Sequence, residues 1–138
     1  MKGIENRIEV KASPRIVFRH LANPANIPAF VPGIVRADVT EYAPGGVGTR
    51  IALETRRHRK MDAVVTGEAE RRFLAIQDER GTLNEWELTR TPTGTLAVNR
   101  IIGEFDDERL PLLSREARAK MHAFKDFVES RVAANTLE

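Results

Sequence analysis

The segment from residue 110 to 133, LPLLSREARAKMHAFKDFVESRVA, constrains the fold of this chain more than any other. Its apolar residues Leu110, Leu113, Ala117, Met121, Phe124, Val128 and Val132 recur in steps of three and four, which sets them along one face of an α-helix. About six helical turns span roughly 35 Å, the length of a small domain. A stripe that long needs an apolar surface to receive it, and almost everything ahead of it reads as strands. The expectation is one long helix held in the concave side of a curved antiparallel sheet.

The strands announce themselves by alternation. Over residues 4 to 11, Ile4, Asn6, Ile8 and Val10 share one face while Glu5, Arg7, Glu9 and Lys11 take the other. Ser13-Pro14 is an N-cap followed by a proline at the first helical position, and Val17, Phe18 and Leu21 give the short helix after it an inward face. Asn23-Pro24 ends that helix, Asn26 is placed to cap a second over Ile27 to Val31, and Pro32-Gly33 breaks it. These two small helices are expected to close one end of the sheet. Strands then follow near 35–40, 50–56, 61–69, 73–79, 83–89 and 96–105, with turn signals at Pro44-Gly45-Gly46, Arg80-Gly81 and Pro92-Thr93-Gly94. Strand joined to strand by short turns is an antiparallel meander, not an alternating βαβ chain.

Composition narrows the function classes. With 138 residues, 41% of them hydrophobic, the chain can bury one core, so residues 1–136 read as a single domain. Leu137-Glu138 adds nothing to the helix pattern and is set aside as a candidate expression-tag remnant. The absence of cysteine excludes disulfides, a thiol nucleophile and cysteine-ligated metal. No apolar run approaches the ~20 residues of a membrane span, and MKGIENRIEV has no signal-peptide core, so a cytoplasmic location is expected. A net charge of +2 gives no footing for DNA binding.

Val10-Lys11-Ala12-Ser13-Pro14, then Leu21-Ala22-Asn23-Pro24, then Ile27-Pro28-Ala29-Phe30-Val31-Pro32-Gly33-Ile34 resemble the opening of the polyketide cyclase/dehydrase-like proteins of the START-like, helix-grip superfamily. Gly46-Val47-Gly48-Thr49-Arg50 resembles that family's second hairpin, and Trp86-Glu87-Leu88 with Gly94-Thr95 its last two strands. The resemblance covers residues 3 to 133. It implies an α+β, Bet v 1-like fold: a seven-stranded antiparallel sheet around the C-terminal helix, with a ligand cavity between them. Ile27 to Pro32 also resembles the coenzyme Q-binding and ribosome-associated-toxin branch, from which the charged hairpin at 56 to 60 departs.

By parity with Trp86 and Leu88, and by matching Gly94-Thr95 to the family pattern, the cavity-facing residues are expected to be Leu53, Thr55, Trp86, Ala97, Asn99, Ile101 and Phe105. Met121 and Phe124 would meet them from the helix. The ligand-binding set is accordingly Leu53, Thr55, Trp86, Asn99, Ile101, Met121 and Phe124. Asn99 stands out, since an amide on an apolar inward row needs a partner, whether a side chain, a trapped water or a ligand group. Trp86, the one tryptophan, fits core packing or stacking on a flat ligand.

Catalytic signatures are missing. His20 lies off the Val17/Leu21 face and reads as exposed, His58 sits in a basic hairpin, and His122 with Asp126 is a surface pair at i,i+4. No histidines have metal-ligand spacing; Asp106-Asp107-Glu108 falls in a turn where it favours the start of the last helix. No metal or cofactor is expected. Pro44-Gly45-Gly46-Val47-Gly48 joins two strands, so it is not a phosphate cradle.

Three functions remain. The favoured one is a carrier or sensor holding a hydrophobic small molecule, lipid or polyketide-like, between sheet and helix. The second is a cyclase, aromatase or dehydratase of the same fold. The third is a ribosome- or protein-interaction module using Arg56 to Lys60, whose binding would weaken steeply with salt. Leu96, Val98 and Ile102 point to the convex face, under the small helices or in a homodimer surface.

Overall fold

A computed structural model of the chain describes residues 2–44 and 46–137, with side chains up to Ala134. In β1 (Lys2–Val10) half-buried and exposed residues alternate until Val10 is fully covered, as the sequence pattern requires. Ser13 caps α1 (Pro14–Leu21), its Oγ accepting from the Ile16 N–H at 3.4 Å. A 3-10 turn, Pro24–Asn26, leads into α2 (Ile27–Phe30).

The capping role expected of Asn26 falls to Asn23, whose Oδ1 accepts from the Ala25 N–H at 3.1 Å. Asn26 is already helical in its backbone, which makes no side-chain cap. Its amide donates instead to the His20 carbonyl at 3.0 Å and ties the bend to α1.

Six strands follow: β2 (Ile34–Glu41), β3 (Arg50–Thr55), β4 (Lys60–Ala69), β5 (Phe73–Asp78), β6 (Leu83–Thr91) and β7 (Gly94–Gly103). Each pairs antiparallel with its predecessor from β3 onward, and β1 returns to pair with β7, giving the order β1-β7-β6-β5-β4-β3-β2. The last strand stops at Gly103, two residues short of the expected Phe105. The expected turn at Pro44-Gly45-Gly46 includes Gly45, which lies outside the described residues, as does Glu138 of the candidate tag remnant.

Register decides which side chains meet. Asn6, Asn99, Trp86 and Leu74 form one row across four strands, and Ile4, Ile101, Asn84 and Ile76 form the next. Both rows face the concave side. There α3 (Leu110–Leu137) lays down Ala117, Met121, Phe124 and Val128, all buried. The element order and the grip of sheet on helix make this the helix-grip fold.

The convex apolar row is covered partly from within the sheet. Register sets Val98, 6% exposed, between Arg7 and Glu87, while Arg100 next to its neighbour bridges Glu5 at 2.9 Å and Glu87 at 3.0 Å. Long polar side chains on three strands shield apolar surface with their stems.

Candidate functional site

Aromatic rings anchor the space between sheet and helix. Phe30 from α2, Trp86 from β6 and Phe124 from α3 pack edge-on or tilted, with centroids 4.9 Å apart for Phe30–Phe124 and for Trp86–Phe124 and 6.2 Å for Phe30–Trp86. The small helices therefore do more than close the sheet. Through Phe30 they join its core.

Beside this cluster lies a cavity of about 360 Å³, within the range of small-molecule sites. Its wall is largely apolar: Leu21, Ile27, Phe30 and Val31 from the small helices, Leu53, Met61, Ala63 and Ile76 from the middle strands, Trp86 and Ile101, and Leu113 and Ala117 from α3. Asp78, Arg80 and Thr82 on the β5–β6 turn, Glu104 and Arg109 before α3, and Glu116 form a polar rim. Arg80, Glu104, Arg109 and Glu116 are exposed, so this end faces water.

Of the residues expected to line a cavity, Leu53, Trp86 and Ile101 do so, as does Phe105 beyond the end of β7. Thr55 belongs instead to the β3–β4 turn: its N–H donates to the Arg59 carbonyl at 2.8 Å, and its Oγ1 accepts from the Arg59 N–H at 3.1 Å. Met121, Phe124 and Ala97 are buried in the core behind the wall. Asn99 is also behind it, with no exposure at all. Its Nδ2 donates to the Glu85 carbonyl at 3.0 Å and reaches the Asn84 Oδ1 at 3.4 Å, while its own Oδ1 has no partner among the described residues.

The residue that pattern reading passed over is Lys120. It is 5% exposed, lines the cavity, and donates from Nζ to the Asn84 Oδ1 at 2.9 Å, with the Trp86 ring centroid 5.5 Å away. Burial pushes its amine from the ordinary 10.5 down to about 7. The signal was present: position 120 is three past Ala117 and four before Phe124, so it must fall on the apolar stripe. Asn84, two residues before Trp86 on the same strand face, was legible in the same way.

One histidine also departs from its expectation. His20, expected to be exposed, is half-buried because α3 passes over α1: its ring meets Phe127 edge-on at 5.8 Å, and its Nε2 is buried with no partner among the described residues. Burial, with Arg19 and Arg131 nearby, pushes its pKa down. His58 and His122 are exposed, as is the whole tip Arg56 to Lys60. Among the described residues no group of three or more His, Asp or Glu is placed to hold a metal ion, and no helix is long and apolar enough to cross a membrane.

Comparison with known proteins agrees with this geometry. No functionally curated protein matches the sequence. Among solved structures, the Zhui aromatase/cyclase of a Streptomyces species superposes with a TM-score of 0.74 at 14% identity, over 95% of this chain and 95% of that one. The Aha1 dimer from Colwellia psychrerythraea gives 0.74 at 18%, over 94% and 97%. The di-domain ARO/CYC StfQ of the steffimycin biosynthetic pathway gives 0.72 at 15%, over 95% of this chain but 52% of its own, so the chain spans about half of that protein. At these identities the likeness is one of fold. The family described as polyketide cyclase/dehydrase and lipid transport matches residues 1–134, nearly the whole length over which sheet, small helices and α3 enclose the cavity, and the chain belongs to that family.

Proposed function

We propose that this protein binds a small hydrophobic molecule, lipid or polyketide-like, between sheet and α3, as a carrier or sensor. The observation that supports it most is the cavity of about 360 Å³, apolar in its wall and polar at its rim. In this reading Leu53, Trp86 and Ile101 touch the ligand, Phe124 holds the Trp86 ring from behind and Met121 belongs to the core beneath. Asn99 acts through Asn84, and Thr55 fixes the β3–β4 tip. That two proteins similar in fold are aromatase/cyclases, and that the family is one of polyketide cyclases and lipid transport, supports the choice of a lipid or polyketide-like ligand.

A second reading, an enzyme acting on a carbonyl chain, is favoured by Lys120. An amine that titrates near 7 can both hold and release a proton at neutral pH. Confinement by the apolar wall would then shape the chain while the lysine moves a proton.

Mass spectrometry of the protein purified gently from its own host, native and then denatured, tests both. A stoichiometric apolar molecule is expected. Leu53→Trp, which fills the cavity from its wall, is expected to leave the protein folded and lower occupancy at least tenfold. A ligand returned lighter by one water after incubation marks a dehydratase. An empty protein whose Trp86 fluorescence stays flat against lipids and aromatic polyketides overturns the ligand-binding reading.

A further inference from the structure

We propose that Lys120, together with Asn84, forms a receiving site for an acidic oxygen, a carboxylate or enolate, at one end of an otherwise apolar ligand. This deepens the reading of the cavity as a ligand site and rests on it.

The case begins with what surrounds the lysine. An ammonium removed from water is costly unless its charge and its three donors are met. The Asn84 Oδ1 meets one donor at 2.9 Å, and the Trp86 face, 5.5 Å from Nζ, meets the charge in part. Burial is what moves its pKa, and no carboxylate acts to raise it. The titratable and charged groups sharing the cavity are Glu116 one turn earlier on α3, Asp78 and Arg80 on the β5–β6 turn, and Glu104 and Arg109 ahead of α3. These form the rim, whereas Lys120 is buried in the wall. Donor capacity and positive charge are therefore left over inside an apolar chamber.

The partner of the lysine is itself fixed. The Asn84 Oδ1 accepts from Lys120 and lies 3.4 Å from the Asn99 Nδ2, which is anchored on the Glu85 carbonyl at 3.0 Å. That relay runs from β7 through β6 to α3, and it holds the amide with its oxygen toward the amine. Asn84 lines the cavity too, and its amide carries Nδ2 donors besides the oxygen that Lys120 uses, which in this proposal serve the same ligand oxygen. Packing alone asks for none of this. A methionine at 120 would fill most of the same space and leave the Asn84 Oδ1 without its amine donor.

Binding of an acid is then linked to a proton. Below about pH 7 Lys120 already carries its charge and affinity is flat; above that value the proton must be taken up on binding, so affinity falls about tenfold per pH unit. Neutral ligands escape this dependence.

The test is calorimetric titration of the whole chain with two matched pairs, decanoate against decanol and 2-naphthoate against 2-naphthylmethanol, between about pH 6 and pH 9. At the low end each acid is expected to bind at least tenfold tighter than its alcohol. The preference should shrink as pH rises past 7 and vanish in Lys120→Met. Lys120→Arg, whose guanidinium does not titrate in this range, should keep the preference without its pH dependence. If the alcohols bind and the acids gain nothing over them, or Lys120→Met keeps the preference, the proposed acid site is overturned while the cavity stands. If neither acids nor alcohols bind to folded protein, the ligand-binding reading fails first and takes this one with it.

Discussion

At residue scale, Lys120 works against the stability of the ligand-free protein. Its ordinary value of 10.5 in the unfolded chain drops to about 7 in the native state, so between those values the unfolded chain holds a proton that the native protein has lost. Stability from this group therefore rises with pH across that window, and the full penalty of burial applies below about 7. Lys120→Met removes the titrating group and keeps all but the last atom of the side-chain length. At pH 6 it is expected to be more stable than the parent by on the order of 1–4 kcal/mol. The gap should narrow by about 1.4 kcal/mol for each pH unit above 7. Urea denaturation of both proteins from pH 6 to 9 reads this directly, and a gap that ignores pH would mean that the lysine finds water in the native state.

At the scale of elements, the tie between α3 and the end of β1 carries a second pH signature. Glu129 accepts from the Lys11 N–H at 2.9 Å and pairs with Lys125 at 2.5 Å, and Lys125 also donates to the Glu9 carbonyl at 3.1 Å. Burial alone would raise the pKa of Glu129, but the Lys11 N–H and the Lys125 ammonium outweigh it and hold the carboxyl below its ordinary 4.5. A carboxylate with a lowered native pKa contributes stability above its unfolded value and loses it as pH falls through the native one. Glu129→Ala is thus expected to lose about 1 kcal/mol near pH 7, discounted for partial exposure. That difference should shrink as pH falls below 4.5 and close once it has passed through the lower native value, as measured by thermal unfolding of both proteins. The elements themselves were largely legible: period-two alternation marked the strands, and steps of three and four marked α3. The exception is the 3-10 turn, because Asn23 and Asn26 are equivalent as letters and only the backbone chooses which can cap.

At the scale of the whole molecule, the sheet joins the first and last strands, since β1 lies against β7. That junction is tight. A Cβ at Gly94 would stand 2.1 Å from the Val10 carbonyl oxygen and 3.0 Å from the Ala12 N, and Thr95 beside it donates to the Ala12 carbonyl at 2.7 Å while fully buried. Gly94→Ala must push β1 and the start of α1 away from β7, so it is expected to lower unfolding stability by at least about 2 kcal/mol, seen as a lower urea midpoint.

The sequence alone determined the element order, the antiparallel meander and the apolar face of α3, since each follows from local periodicity and turn chemistry, while the inward facing of Leu53, Trp86, Asn99 and Ile101 was an implication of the family resemblance. Only the tertiary structure decided which inward residues reach open space and which are backed by others. Asn99 sits behind Trp86 and Asn84, Met121 and Phe124 lie in the core, and Thr55 is taken up by a turn. It also decided that a lysine on an apolar stripe stays inside: its length lets it reach the Asn84 amide across the gap between helix and sheet, and no local pattern encodes that distance.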